Sequence, residues 1–119
     1  MMTPPQLLEV AITAAKAAGA VLLRKQHEER KIDFKDAAHF DLVTDADKAS
    51  EAAILEVLRA QVPDHGVLAE ESGASRLSQA YLWFVDPLDG TVNYAHRIPH
   101  YCTTLAVEDT ATHQVLAGV

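Results

Sequence analysis

The feature that most constrains this chain is the unbroken apolar run Tyr81-Leu82-Trp83-Phe84-Val85, which passes directly into Asp86-Pro87-Leu88-Asp89-Gly90-Thr91. Five consecutive apolar residues are too few for a helix and show no alternation, so the run predicts a buried central strand. Such a strand needs partners on both edges and cover on its faces. The rest of the chain supplies candidates.

Thr3 before Pro4, Pro5 and Gln6 reads as a helix start, with a capping oxygen, prolines where no amide hydrogen is needed, and a Gln three residues on. Leu8, Ala11, Ile12, Ala15, Ala18 and Leu22 then recur at helical spacing, predicting a helix to about Arg24. Thr44 opens a second helix, with Ala49, Ala53, Val57 and Leu58 on one face, which Val62 and Pro63 stop. Between the two, residues 25–40 are polar, and Ile32 and Phe34 alternate with charges in a short exposed strand and a mobile loop. Val67 to Ala69, Thr103 to Val107 and Val115 to Val119 read as further strands, the last two joined by the polar turn Glu108 to His113. The expected fold class is α+β, with two long helices packed on a mostly antiparallel sheet.

Composition narrows the function. Ten Lys and Arg against seventeen Asp and Glu give a formal charge of -7, which argues against a nucleic-acid partner. An acidic protein that handles phosphate needs a cation as intermediary. The single Cys102 excludes an internal disulfide, and the N-terminus lacks the basic start and apolar stretch of a secretory leader, so a cytoplasmic location is expected. Lys16 interrupts the first helix and no run reaches about eighteen apolar residues, so no membrane role is expected.

The candidate chemistry sits where the apolar strand runs out. Pro87 restricts the turn, Gly90 allows a sharp bend, and Asp86 and Asp89 offer hard oxygens suited to Mg²⁺ beside amides suited to phosphate. Asp, Pro and Gly are also ordinary turn formers, so the motif alone is compatible with a plain turn. A second acidic element, Glu70-Glu71-Ser72-Gly73, follows the strand at Val67 to Ala69 and could bring a third carboxylate to the same edge, or be a solvated loop. In Asp41-Leu42-Val43-Thr44-Asp45-Ala46-Asp47, a helix cap accounts for Thr44 and Asp47 without any chemistry. His96 and His100 have Pro99 between them and do not form a helical zinc pair; one is expected to pack and one to be solvated. Cys102, at a strand start without an activating base, reads as a buried structural thiol. No dinucleotide, P-loop or nucleophile-elbow motif occurs, which leaves metal-assisted hydrolysis.

Taken in order, DLVTDADKASE, LAEESG and WFVDPLDGTVNYAHRIPHYC resemble three N-terminal motifs of the inositol monophosphatase family. The resemblance is close from Asp41 to Cys102 and weak before Lys35. It implies the layered sandwich of inositol monophosphatases and sugar phosphatases, with residues 1–119 as its N-terminal metal- and phosphate-binding domain. By the same resemblance, Glu70, Asp86, Asp89 and the Leu88 carbonyl hold two or three Mg²⁺ ions, with Asp86 bridging two, and Li⁺ is inhibitory. The resemblance further implies that Asp89, Gly90 and Thr91 contact the substrate phosphate. It also implies that Asp47 hydrogen-bonds the Thr91 hydroxyl, so that Thr91 and Glu70 activate the attacking water.

Family members carry a further aspartate ligand, in a Trp-Asp motif, and much of the substrate pocket in a second half that this sequence does not contain. Trp83 precedes Phe84 and cannot supply that ligand. The final strand stops without a terminating residue, so the chain is expected to be part of a longer one and to be inactive by itself. Val92 and Asn93 after the threonine resemble the branches that act on a phosphorylated polyol or sugar. The implied function is an inositol-1-monophosphatase-like phosphate monoester hydrolase acting as a homodimer. The alternatives are fructose-1,6-bisphosphatase, histidinol-phosphatase or 3'-phosphonucleotide specificity, or a non-catalytic binding module.

Overall fold

Both helices begin where side chains satisfy the amides that a helix start leaves open. In the computed structural model, which describes residues 1–28, 32–34, 42–76 and 79–119, helix α1 (Pro4–Lys25) is capped reciprocally. Thr3 Oγ1 accepts from the Gln6 amide at 3.4 Å, and Gln6 Oε1 accepts from the Thr3 amide at 2.9 Å. Its buried stripe, Leu7, Val10, Ala11, Ala14, Ala18 and Leu22, faces α2 (Asp45–Gln61) and the sheet. By length and composition α1 is apolar enough to cross a membrane, contrary to the expectation drawn from Lys16, which a helix this apolar tolerates on its exposed side. Here the apolar stripe packs inside the fold.

A two-stranded antiparallel pair, β1 (Ile32–Phe34) with β2 (Leu42–Thr44), precedes α2. The expected strand at Ile32 to Phe34 is present; the rest of the predicted mobile loop lies mostly outside the described residues, and β2 was not anticipated. The main sheet comprises β3 (Gly66–Ala69), β4 (Gly73–Ser75), β5 (Tyr81–Asp89), β6 (Cys102–Asp109) and β7 (Gln114–Gly118), in the order β4-β3-β5-β6-β7. Every pairing in it is antiparallel except β3 with β5, which run parallel with Ala69 opposite Val85. The five-residue α3 (Thr91–Ala95) follows β5.

The apolar run occupies the centre of this sheet. Tyr81, Trp83 and Val85 join Leu105 and Val107 under α1 and α2, and Trp83 is fully buried. Burying a side chain of that kind stabilises the fold by roughly 1.5–3 kcal/mol. The run is not buried on both faces, however: Phe84 is 37% and Leu68 39% exposed on the face away from the helices. Successive strand residues point to opposite faces, so one face of an unbroken run lies against the helices and the other does not. A smaller cluster of Leu22, Ala46, Leu88 and Tyr94 ties α3 to the end of α1, where the Tyr94 hydroxyl donates to the Leu22 carbonyl at 2.8 Å.

Candidate metal and phosphate site

Parallel neighbours end at the same sheet edge, and this is what brings the acidic motifs together. The Glu70 amide donates to the Val85 carbonyl at 3.2 Å, so Glu70 leaves β3 beside Asp86 on β5. The Glu70 carboxyl lies close enough to Asp86 to hold that carboxyl above its ordinary range. Alternation along β5 places Asp86 on the same face as Phe84, at the end of a shallow cavity that Glu70, Leu68 and Thr104 also line.

Asp86-Pro87-Leu88-Asp89 is not the free turn expected from its composition but the continuation of β5, interrupted by a bulge. Asp86 pairs with Thr104 and Asp89 with Cys102, so Pro87 and Leu88 stand opposite the single residue Thr103. A bulge is one of the few places where a sheet tolerates proline, which has no amide hydrogen to give the ladder. The strand then breaks at Gly90, whose φ of 90° suits glycine. A Cβ there would also lie 2.9 Å from the His100 carbonyl oxygen.

The Thr44 cap and the expected Asp47–Thr91 contact prove to be one network. Thr44 Oγ1 accepts from the Asp47 amide at 3.2 Å and donates to Asp47 Oδ2 at 2.5 Å. The other oxygen, Oδ1, accepts from the Thr91 hydroxyl at 2.9 Å, and the Leu88 carbonyl lies 3.1 Å from the same hydroxyl. Asp47 is 1% exposed. Each oxygen of Asp47 thus has its own partner, Oδ2 in the helix cap and Oδ1 at the Thr91 hydroxyl.

The electrostatics show how closely the carboxylates approach. The Asp86 carboxyl is pushed up to about 7, first by burial, then by the adjoining Glu70 carboxyl, with a smaller push from Asp89. The Leu88 amide, 3.3 Å from Asp86 Oδ1, works in the opposite direction. The donors gathered at this edge are all oxygens, a set whose chemistry matches Mg²⁺. Among the described residues, no three His, Cys, Asp or Glu side chains form a ready-made cage. The three carboxylates Glu70, Asp86 and Asp89 named from the resemblance are therefore not gathered into one such group.

Other sequence expectations are corrected. Cys102 is exposed, not buried, because it is the first residue of β6 and lies beside the bulge, with Sγ 3.8 Å from Asp89 Oδ2. His96 and His100 are both exposed, so neither packs. Asp89, Gly90, Asn93, His100, Tyr101 and Cys102 line a cleft of about 320 Å³. A larger cavity of about 510 Å³, between α2 and β3–β4, holds none of the carboxylates named above. The sequence reading missed Ser50 and Glu51, both buried on α2; their spacing of three and four residues from Asp47 was the available clue.

The sequence profile of the inositol monophosphatase family matches residues 4–119. The chain is 46% identical over 107 residues to the phosphatase IMPL1, chloroplastic, of Arabidopsis thaliana, covering 89% of this chain and 28% of that protein. It is 43% identical over 108 residues to an inositol-1-monophosphatase of Synechocystis, covering 88% and 37%. A solved staphylococcal inositol monophosphatase-1, described as a lithium chloride-soaked inhibitory complex, superposes with a TM-score of 0.81 at 27% identity, covering 97% of this chain and 43% of that one. The chain thus spans less than half the length of these relatives, and its two helices on a five-stranded sheet correspond to the N-terminal part of their fold. It belongs to the inositol monophosphatase family.

Proposed function

We propose that this chain supplies the metal- and phosphate-binding half of a Mg²⁺-dependent phosphate monoester hydrolase acting on inositol 1-phosphate or a similar polyol phosphate. The observation that carries the proposal is the Glu70–Asp86 carboxyl pair, beside the Asp47–Thr91 hydrogen bond at one sheet edge. Glu70, Asp86, Asp89 and the Leu88 carbonyl would hold the cation. Bound there, Mg²⁺ would acidify water and neutralise charge on the phosphate.

The protein's own contribution is orientation and proton handling. The Thr91 hydroxyl directs its hydrogen to Asp47 Oδ1, which turns its lone pairs outward to accept a hydrogen bond from the attacking water. The Glu70 carboxylate would receive that water's proton as the water oxygen bonds to phosphorus and the ester P–O bond breaks, and the departing alkoxide would take its proton from solvent water. Gly90, with no Cβ, lets the backbone approach the phosphate closely. No nucleophilic Ser or Cys is required, since an in-line attack by water depends on positioning and electrostatics. The lithium-soaked relative supports extending Li⁺ inhibition to this protein.

The test is phosphate release from inositol 1-phosphate by the whole protein. Activity should require Mg²⁺ and fall at least about 10²-fold in Asp89→Asn, as removal of a transition-state charge partner does. Normal activity in that variant would refute the site assignment. Fructose 1,6-bisphosphate, histidinol phosphate and a 3'-phosphonucleotide, compared by kcat/KM, decide among related specificities.

A further inference from the structure

The buried polar and charged residues among the described positions are Thr44, Asp47, Ser50 and Glu51, and all four lie within the first two turns of α2 or at its cap. Residues three and four apart share a helix face, so Asp47, Ser50 and Glu51 form one polar edge in an otherwise apolar interface. Each of the three reaches a different part of the candidate site. Asp47 Oδ1 accepts from Thr91. The Ser50 hydroxyl donates to the Pro87 carbonyl at 2.7 Å, across 37 residues of sequence. Glu51 Oε1 accepts from the Glu71 amide at 2.8 Å, across 20.

We infer that Ser50 and Glu51 are positioning residues that hold both acidic segments, the bulged end of β5 and the stretch after β3, in register on one helix face, a role that rests on the phosphatase reading above. Their bonds end on backbone atoms next to the candidate ligands. The Pro87 carbonyl lies inside the bulge between Asp86 and Asp89, and the orientation of that peptide governs where the Leu88 carbonyl points. The Glu71 amide follows Glu70 directly, so its bond to Glu51 sets how far Glu70 stands from Asp86. Neither side chain is itself a candidate ligand. A fully buried hydroxyl and a carboxylate only 4% exposed are costly to retain unless such bonds are made. Glu51 also adds a negative charge behind a site already rich in carboxylates. Its value therefore lies in geometry, not in charge balance.

Ser50→Ala, Glu51→Ala and Glu51→Gln in the whole protein test this with two readouts. Without metal, amide hydrogen exchange at Glu71 should quicken in Glu51→Ala and stay near wild type in Glu51→Gln, whose amide oxygen can still accept the bond. Half-saturation by Mg²⁺ should rise about tenfold or more in the two alanine variants and stay within about threefold in Glu51→Gln, as for residues that orient metal ligands from behind. KM for the phosphate ester at saturating Mg²⁺ should change by no more than about twofold. Unchanged Glu71 exchange in Glu51→Ala, or wild-type Mg²⁺ half-saturation in either alanine variant, overturns the inference. If Glu51→Ala does not fold, Ser50→Ala and Glu51→Gln decide by the same Mg²⁺ criteria. A wild-type protein that takes up no Mg²⁺ overturns the phosphatase reading instead, and the metal-free exchange at Glu71 then still judges the clamp separately.

Discussion

Replacing Asp86 by Asn should stabilise the metal-free protein at alkaline pH, although it removes a candidate ligand. The folded-state carboxyl titrates near 7 against an ordinary value of 3.8. A carboxyl raised on folding leaves stability intact below 3.8; the loss accumulates as pH rises toward 7 and is complete just above it. A shift of about three units corresponds to about 4 kcal/mol at full strength. Because the pair lies at a solvent-accessible edge and shares its titration with Glu70, about half of that, roughly 2 kcal/mol, is the reasonable magnitude. Urea unfolding with a chelator, between about pH 5 and pH 8, should show wild-type stability falling by roughly 1.2 kcal/mol, the share of that loss lying above pH 5, while Asp86→Asn stays nearly flat. Adding Mg²⁺ at pH 8 should then stabilise wild type and leave the variant unmoved. A variant less stable than wild type at pH 8 without metal, or one that keeps the wild-type slope, would refute the reasoning.

The same titration predicts that Mg²⁺ affinity weakens by up to about tenfold per pH unit below 7, because the cation must displace the proton, and calorimetric titration measures this. Thr91→Ala should lower kcat by roughly 10²-fold or more, whereas Thr91→Ser, which keeps the hydroxyl facing Asp47, should retain activity within about tenfold. Gly90→Ala combines a positive φ with a contact on the His100 carbonyl and should cost roughly 1–3 kcal/mol, read as a lower urea midpoint. His65, whose Nδ1 accepts from Trp83 Nε1 at 2.9 Å, is held below its usual 6.5 by burial. Its contribution is present above pH 6.5 and lost as pH falls through the folded value, so the acid fall in Tm should be smaller in His65→Gln than in wild type.

Local chemistry was legible in the sequence. The caps at Thr3 and Thr44, the helix stop at Val62 and the central strand at Tyr81 each depend on a few adjacent residues, and each is found where it was expected. What depended on pairing was not legible. Nothing in Val67 to Ala69 says that β3 runs parallel to β5, yet that pairing is what sets Glu70 beside Asp86. The proline-aspartate stretch read as a turn because its composition is that of a turn, whereas cross-strand bonding to β6 keeps it in the sheet as a bulge. β2, β4 and α3 are three to five residues long, too short for periodicity to reveal. Cys102 read as buried from its apolar neighbours, but its position opposite Asp89 leaves it exposed. The Asp47–Thr91 bond came only from the family resemblance, since its partners are 44 residues apart.

The most direct test of the metal site is anomalous diffraction from crystals of the whole protein soaked in Mn²⁺, a heavier stand-in for Mg²⁺. The account predicts a peak coordinated by Glu70, Asp86, Asp89 and the Leu88 carbonyl that disappears in Asp86→Asn. A peak elsewhere, or one that persists in Asp86→Asn, would contradict it.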